Sequence, residues 1–169
     1  VYRFYSIYFK MAENNLRIAL FSGTFDPFTI GHADIVKRAL GLFDRLIIAV
    51  AVNPAKHTLY SVEERVNAIQ RLYSGEKRIK VVAYDGMMAD LAHEEGARYC
   101  VKGVRSVTDF EYEKVQAAYN HRLGDLETVL LYARPELEAV SSSGYRTLVY
   151  FHKDASWMLP KKDNDLTQL

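Results

Sequence analysis

Ile18-Ala-Leu-Phe-Ser-Gly-Thr-Phe-Asp-Pro-Phe-Thr-Ile-Gly-His32 sets the pattern from which the rest of the chain can be read. Ile18–Phe21 is a short continuous apolar run, as a strand covered on both faces requires. A loop containing Gly23 and Pro27 follows, and the periodicity then turns helical. Over Ala33–Phe43, residues Ile35, Val36, Ala39, Leu40 and Phe43 fall on one helical face. Outward from there the alternation repeats. Leu46–Val52 (LIIAVAV) is the clearest buried strand. Ser61-Val-Glu-Glu64 has the spacing of a capping box, with Glu64 able to reach back to the Ser61 amide. The helix it opens places Val62, Val66, Ile69 and Leu72 on its inner side. Ile79–Tyr84 reads as strand, Met87–Glu95 as helix and Tyr99–Val101 as strand. Thr108–Leu123 reads as helix, Thr128–Tyr132 as strand, and a last helix opens near Ser142 or Ser143. Short strands separated by helices predict an α/β chain with a doubly wound, parallel five-stranded sheet, because right-handed crossovers lay helices on both faces. Ligands of such sheets bind beyond the carboxyl ends of the strands. The chemistry is therefore expected in the loops after Phe21, Val52, Tyr84, Val101 and Tyr132.

The chain has 169 residues, 49% of them apolar and 25% charged, which suits one compact domain with an ample core. Lys and Arg number 22 against 21 Asp and Glu. So even a balance argues against a nucleic-acid coat or a polybasic membrane binder, while leaving local basic pockets open. No apolar run approaches the roughly 18 residues of a membrane span. Cys100 is the only cysteine, so no internal bridge can form, and a reducing, cytoplasmic setting is the expectation. The aromatic-rich Val1–Lys10 lacks the aliphatic stretch and cleavage site of a secretory signal. It reads as part of an N-terminal extension (residues 1–15) outside the fold, with an added edge strand as the alternative. Residues 16–160 form the expected domain, and the polar stretch 161–169 reads as a tail.

The loop Ser22–His32 lacks the three spaced glycines of the dinucleotide fingerprint and the Gly-Lys-Ser/Thr ending of a P-loop. It still has the parts of an anion site. Gly23 lets the backbone come close to a ligand, and Thr24 offers a hydroxyl beside a free amide. Gly31-His32 opens a helix whose unpaired N–H groups carry partial positive charge. His32 there can donate a hydrogen bond to a phosphate oxygen without acting as a base.

Gly-Thr-Phe-Asp-Pro followed by Thr-x-Gly-His resembles the signature of the nucleotidyltransferase superfamily, where His-x-Gly-His is usual; Thr29 takes the first place and His32 the second. Three further segments sharpen the likeness. They are Asn53-Pro-Ala-Lys56 with Tyr60-Ser-Val-Glu-Glu-Arg65; Lys102-Gly-Val-Arg-Ser-Val-Thr-Asp-Phe-Glu-Tyr-Glu113 with Asn120 beyond it; and Ser141-Ser-Ser143. Together, from about Leu16 to Pro160, they resemble the bacterial-type phosphopantetheine adenylyltransferase family. The segment Asp109-Phe-Glu-Tyr-Glu113 is not expected in relatives acting on nicotinate mononucleotide or a phospho-alcohol. Those relatives, and a catalytically silent nucleotide-binding module, are the alternatives.

The resemblance implies a Rossmann-like nucleotidyltransferase fold and the conversion of MgATP and 4′-phosphopantetheine into dephospho-coenzyme A and pyrophosphate. It implies that Thr24 and Phe25 contact ATP, with Thr24 also reaching the second substrate, and that His32 and Lys56 are the catalytic pair. Lys56 and Met88 would hold phosphopantetheine. Lys102, where the family usually has Arg, would grip its phosphate without the two-pronged guanidinium geometry. Gly103, Val104, Arg105 and Glu113 would surround the nucleotide, as would Leu137, Glu138, Ala139, Val140, Ser141, Ser142 and Ser143. Mg²⁺ would arrive with ATP, with no protein ligand of its own. A homohexamer and feedback by coenzyme A are further implications. Ser22, where the family often has Pro, bears on loop stiffness more than on chemistry.

Each residue also has a plainer reading. Lys56 alone would be a solvated loop lysine, and Arg105 and Glu113 helix-surface charges. Met87 and Met88 would be core filler, Ser141–Ser143 an N-cap, and Cys100 a buried packing residue. His57, His93, His121 and His152 have no companions at ligand or triad spacing.

Overall fold

A computed structural model describes residues 16–53 and 57–161. The expectations for residues 1–15, Lys56 and 162–169 lie outside the described residues. In chain order the elements are β1 (Ile18–Gly23), α1 (Ile30–Ala39), β2 (Arg45–Ala51), α2 (Val62–Leu72), β3 (Ile79–Tyr84), α3 (Met88–Glu95), β4 (Tyr99–Val104), α4 (Val107–Gly124), β5 (Glu127–Tyr132) and α5 (Ser142–Tyr150). Short 3₁₀ turns at Pro135–Leu137 and Ser156–Met158 flank α5.

The sheet has the order β3-β2-β1-β4-β5, with every pairing parallel. This is the α/β architecture read from the alternation of apolar runs. Ile35, Val36 and Ala39 of α1 and Ile69 of α2 pack with Phe21, Leu46, Ile48 and Val50 on one face. Leu91 and Ala92 of α3 pack with Leu20, Ile47, Ala49 and Cys100 on the other. Full burial of each such aliphatic side chain contributes roughly 1.5–3 kcal/mol. Helix α4 lies beside α3, so close that a Cβ on Gly124 would stand 2.9 Å from that of Ala89. The capping box at Ser61 forms as its spacing predicts, with the Ser61 amide donating to Glu64 Oε2 at 2.8 Å and the Glu64 amide to Ser61 Oγ at 3.2 Å.

Helix α1 ends at Ala39, capped by Leu40, rather than at Phe43, and β1 runs on to Gly23; two further differences from the sequence reading bear on the functional end of the sheet. Helix α1 starts at Ile30 rather than Ala33, because Thr29 and His32 cap it. Strand β4 runs past Val101 to Val104, because Lys102 and Gly103 pair with Leu130 and Leu131 of β5 although they break the apolar run. The strand order reverses between β1 and β4: β2 and β3 lie to one side, β5 to the other. Crossovers diverge at such a point and leave a crevice at the carboxyl edge.

Candidate active site

That crevice is a cavity of about 580 Å³ bounded by the ends of β1 and β4, the start of α1, the first turns of α4 and the start of α5. Thr24, Phe25, His32, Lys102, Gly103, Arg105, Glu113, Leu137, Val140, Ser141, Ser142 and Ser143 all line it. Residues far apart in sequence thus converge as the switch-point rule requires. Val104 is buried at the end of β4, and Glu138 and Ala139 are exposed; none of the three lines the cavity. Met88 packs beside Leu91 on the α3 side of the sheet, away from this lining.

His32 is held on two sides. The Thr29 amide donates to His32 Nδ1 at 3.0 Å, and Thr29 Oγ1 lies 3.0 Å from the same nitrogen. A backbone amide can only donate, so Nδ1 is the acceptor and Nε2 carries the hydrogen. The rings of Phe25 and Phe28 stand 5.0 and 5.3 Å from the imidazole, centre to centre, with Phe21 at 6.2 Å. Burial, with a smaller push from Arg105, brings the imidazole from the usual 6.5 down to about 4. At neutral pH the ring is therefore uncharged and carries its hydrogen on Nε2.

The floor beneath the cavity is tightly built. A Cβ on Gly103 would meet Ile35 Cγ1 at 3.0 Å, so glycine lets β4 and α1 close up there. Gly23 is equally constrained, since a Cβ would come within 2.8 Å of the Phe25 ring. Phe25 has φ +50°, a left-handed conformation that turns the chain sharply at the mouth of the cleft. Lys102 Nζ lies 3.4 Å from Glu113 Oε2, an ion pair without an aligned hydrogen bond, and donates to the Ser22 carbonyl at 3.5 Å. Arg105 donates from Nε to Asp109 Oδ2 at 3.1 Å and from Nη1 to the Val140 carbonyl at 3.4 Å, tying α4 to the loop before α5. Ser141 caps α5 by accepting from the Gly144 amide at 3.0 Å, and Ser142 Oγ donates to the Pro27 carbonyl at 2.8 Å.

Several residues of the site carry no role in the sequence reading, Asp26 and Arg65 among them although they stand inside its quoted segments. Asp34 is buried on α1 and pairs with Arg38 at 3.1 Å and Arg134 at 2.9 Å, joining the helix of His32 to the end of β5. Its signal was a carboxylate among the inward positions of an apolar helix face. Asp26 is also buried; it accepts from the Leu59 and Tyr60 amides at 2.8 and 2.9 Å and so fastens the first loop to the segment before α2. Arg146 lines the cavity and donates to the Asp26 carbonyl at 2.6 Å. It stands one helical turn after Ser142, and that spacing was the available clue. Arg65 is buried behind the loop, where its guanidinium donates to the Thr24 carbonyl. Among the described residues no group of three or more His, Cys, Asp or Glu is placed to hold a metal.

The profile of the cytidylyltransferase-like family matches residues 20–148. A phosphopantetheine adenylyltransferase of Bacteroides fragilis is 44% identical over 146 residues, covering 86% of this chain and 97% of that protein. One from Porphyromonas gingivalis is 47% identical over 144 residues, covering 85% and 94%. Among solved structures, a bifunctional NMN adenylyltransferase/ADP ribose pyrophosphatase from Francisella tularensis superposes with a TM-score of 0.65 at 15% identity, covering 88% of this chain and 46% of that one. At that identity the likeness is one of fold.

Proposed function

Because the chain belongs to the phosphopantetheine adenylyltransferase family, we infer that it transfers the adenylyl group of ATP to 4′-phosphopantetheine, giving dephospho-coenzyme A and pyrophosphate. The observation that carries this reading is the convergence of His32, Lys102, Arg105 and Arg146 on one cleft at the switch point of the sheet. The incoming phosphate is already an anionic nucleophile at neutral pH, so neither a general base nor a covalent enzyme intermediate is required. The difficulty is to bring two polyanions into line at the α-phosphorus. Positioning of this kind supplies up to about 7–11 kcal/mol in well-oriented systems. The Nε2–H of His32 and the cations of the cleft then stabilise charge that builds on the equatorial oxygens.

In this reading Thr24 and Phe25 hold ATP, and Gly103, Arg105, Leu137, Val140 and Ser141–Ser143 surround the nucleotide. Lys102 meets the phosphate of phosphopantetheine once that phosphate competes with Glu113 for its ammonium. Lys56 completes the catalytic pair and helps hold phosphopantetheine, whose arm leaves the cleft toward Met88. Mg²⁺ enters as MgATP, part of the substrate. The homo-oligomer finds support in α4, which leaves Tyr112, Val115, Tyr119 and Leu123 more than a third exposed, an apolar stripe suited to a second copy. No helix among the described residues is long and apolar enough to cross a membrane, and a cytoplasmic enzyme, with coenzyme A as a feedback ligand, is part of the same proposal.

The test is pyrophosphate release with ATP or CTP against phosphopantetheine, nicotinate mononucleotide and phosphocholine. Release with ATP and phosphopantetheine alone is expected. Faster release with another pair would assign a different substrate, and ATP binding without turnover on any acceptor would leave a silent nucleotide-binding module.

A further inference from the structure

A second cavity, about 670 Å³, lies behind the first loop, with Arg65, Phe28 and Leu159 on its walls. Phe25 borders both cavities, whereas Thr24 lines only the cleft and Arg65 only the space behind. Arg65 is 4% exposed, and four carbonyl oxygens hold it. Nη1 donates to Thr24 and, at 3.3 Å, to Ala51; Nε donates to Tyr60 at 3.2 Å and Ser61 at 3.3 Å. The guanidinium thus ties the end of β2 and the start of α2 to the back of the loop that carries Thr24.

The Thr24–Phe25 peptide is trans, so its carbonyl and amide point in opposite directions. A Thr24 carbonyl turned toward Arg65 leaves the Phe25 N–H pointing away from Arg65, and Thr24 lines only the cleft. No acceptor among the described residues takes that hydrogen. Gly23 admits the Phe25 ring beneath the loop, and the left-handed φ of Phe25 completes the turn. We propose that Arg65 is a positioning residue that fixes the Thr24–Phe25 peptide so that its amide hydrogen faces the α-phosphoryl oxygens of the bound nucleotide. Arg65 touches no substrate; it acts by fixing a donor beforehand, at no reorganisation cost when charge develops. This rests on the adenylyl-transfer reading.

Arg65→Lys and Arg65→Gln test it, measured beside the wild type. Lysine keeps the charge but not the fork that spans four carbonyls. Both variants are expected to lose about 10²-fold in kcat, the typical cost of a misplacement near 1 Å, while the KM of phosphopantetheine moves less than about threefold. Selective ¹⁵N-phenylalanine labelling supplies a readout that a purely structural role would not move. In the wild type, the Phe25 amide resonance shifts downfield on addition of Mg²⁺ with α,β-methylene ATP; in the folded variants that shift is lost. A Phe25 amide indifferent to the nucleotide in the wild type overturns the proposal, as does a folded variant that keeps both the shift and the rate. Should neither variant fold, ¹⁵N-arginine wild type decides: the Arg65 Nη1 hydrogen responds to the nucleotide together with the Phe25 amide, or the proposal fails. Absence of turnover in the wild type would sink the functional reading, while the amide titration would still judge Arg65.

Discussion

Replacing His32 by alanine and by glutamine separates two roles for the imidazole, donor and base. Nδ1 is occupied by the Thr29 amide at 3.0 Å, and the ring stays neutral with its lowered pKa of about 4, so only Nε2–H is available to a substrate. Loss of one such donor costs about 10²–10³ in kcat, or roughly 2.7–4 kcal/mol of transition-state stabilisation. His32→Ala should therefore fall by that factor, with the KM of either substrate changing little. Glutamine places its carboxamide nitrogen near the position of Nε2 and can donate but not accept a proton there. His32→Gln is accordingly expected to recover roughly tenfold over alanine, part of the value of one donor. The assay is steady-state pyrophosphate release, run on variants matched for folded fraction because the ring also packs against Phe25 and Phe28. A glutamine variant as slow as alanine would point to proton abstraction by the imidazole. An alanine variant at the wild-type rate would remove His32 from the mechanism.

The same imidazole makes the protein acid-sensitive. Its folded pKa of about 4 lies below the usual 6.5, so between those values the unfolded chain binds the extra proton and stability falls as pH falls. Between pH 7 and 4.5 this costs at most about 2–3 kcal/mol, less to the extent that the ring edge meets solvent in the cleft. Urea titrations should show a steeper acid loss in the wild type than in His32→Ala, and parallel curves would contradict the lowered pKa. Gly23→Ala drives a Cβ to 2.8 Å from the Phe25 ring. A destabilisation of about 1–3 kcal/mol and a loss of rate are expected, and an unchanged urea midpoint would count against the loop geometry. Lys102→Arg lets one guanidinium nitrogen keep Glu113 while another faces the phosphate. Calorimetry should show phosphopantetheine binding tightened roughly three- to tenfold, about the net value of one ordinary hydrogen bond, with ATP unchanged; weaker binding would refute that reading of Lys102.

The apolar runs at Ile18–Phe21, Leu46–Val52 and Ile79–Tyr84, and the helical face of Ile35, Val36 and Ala39, made the α/β class legible without coordinates. Burial on both faces of a parallel sheet leaves that mark in any sequence that forms one. The first loop was legible too, because a tight approach to an anion needs glycine and donors within a few residues. What the linear order could not carry is the meeting of β1 with β4. Strand order arises from crossovers and packing, and those bring Lys102 beside Ser22 and Glu113. The buried charges were hidden for a related reason. Asp34, Asp26 and Arg65 look like surface residues until folding removes their water and leaves them distant partners: Arg134, the Leu59 and Tyr60 amides, and the carbonyls of Thr24 and Ala51. A polar group out of water must find such partners, and only the tertiary structure decides which ones it meets.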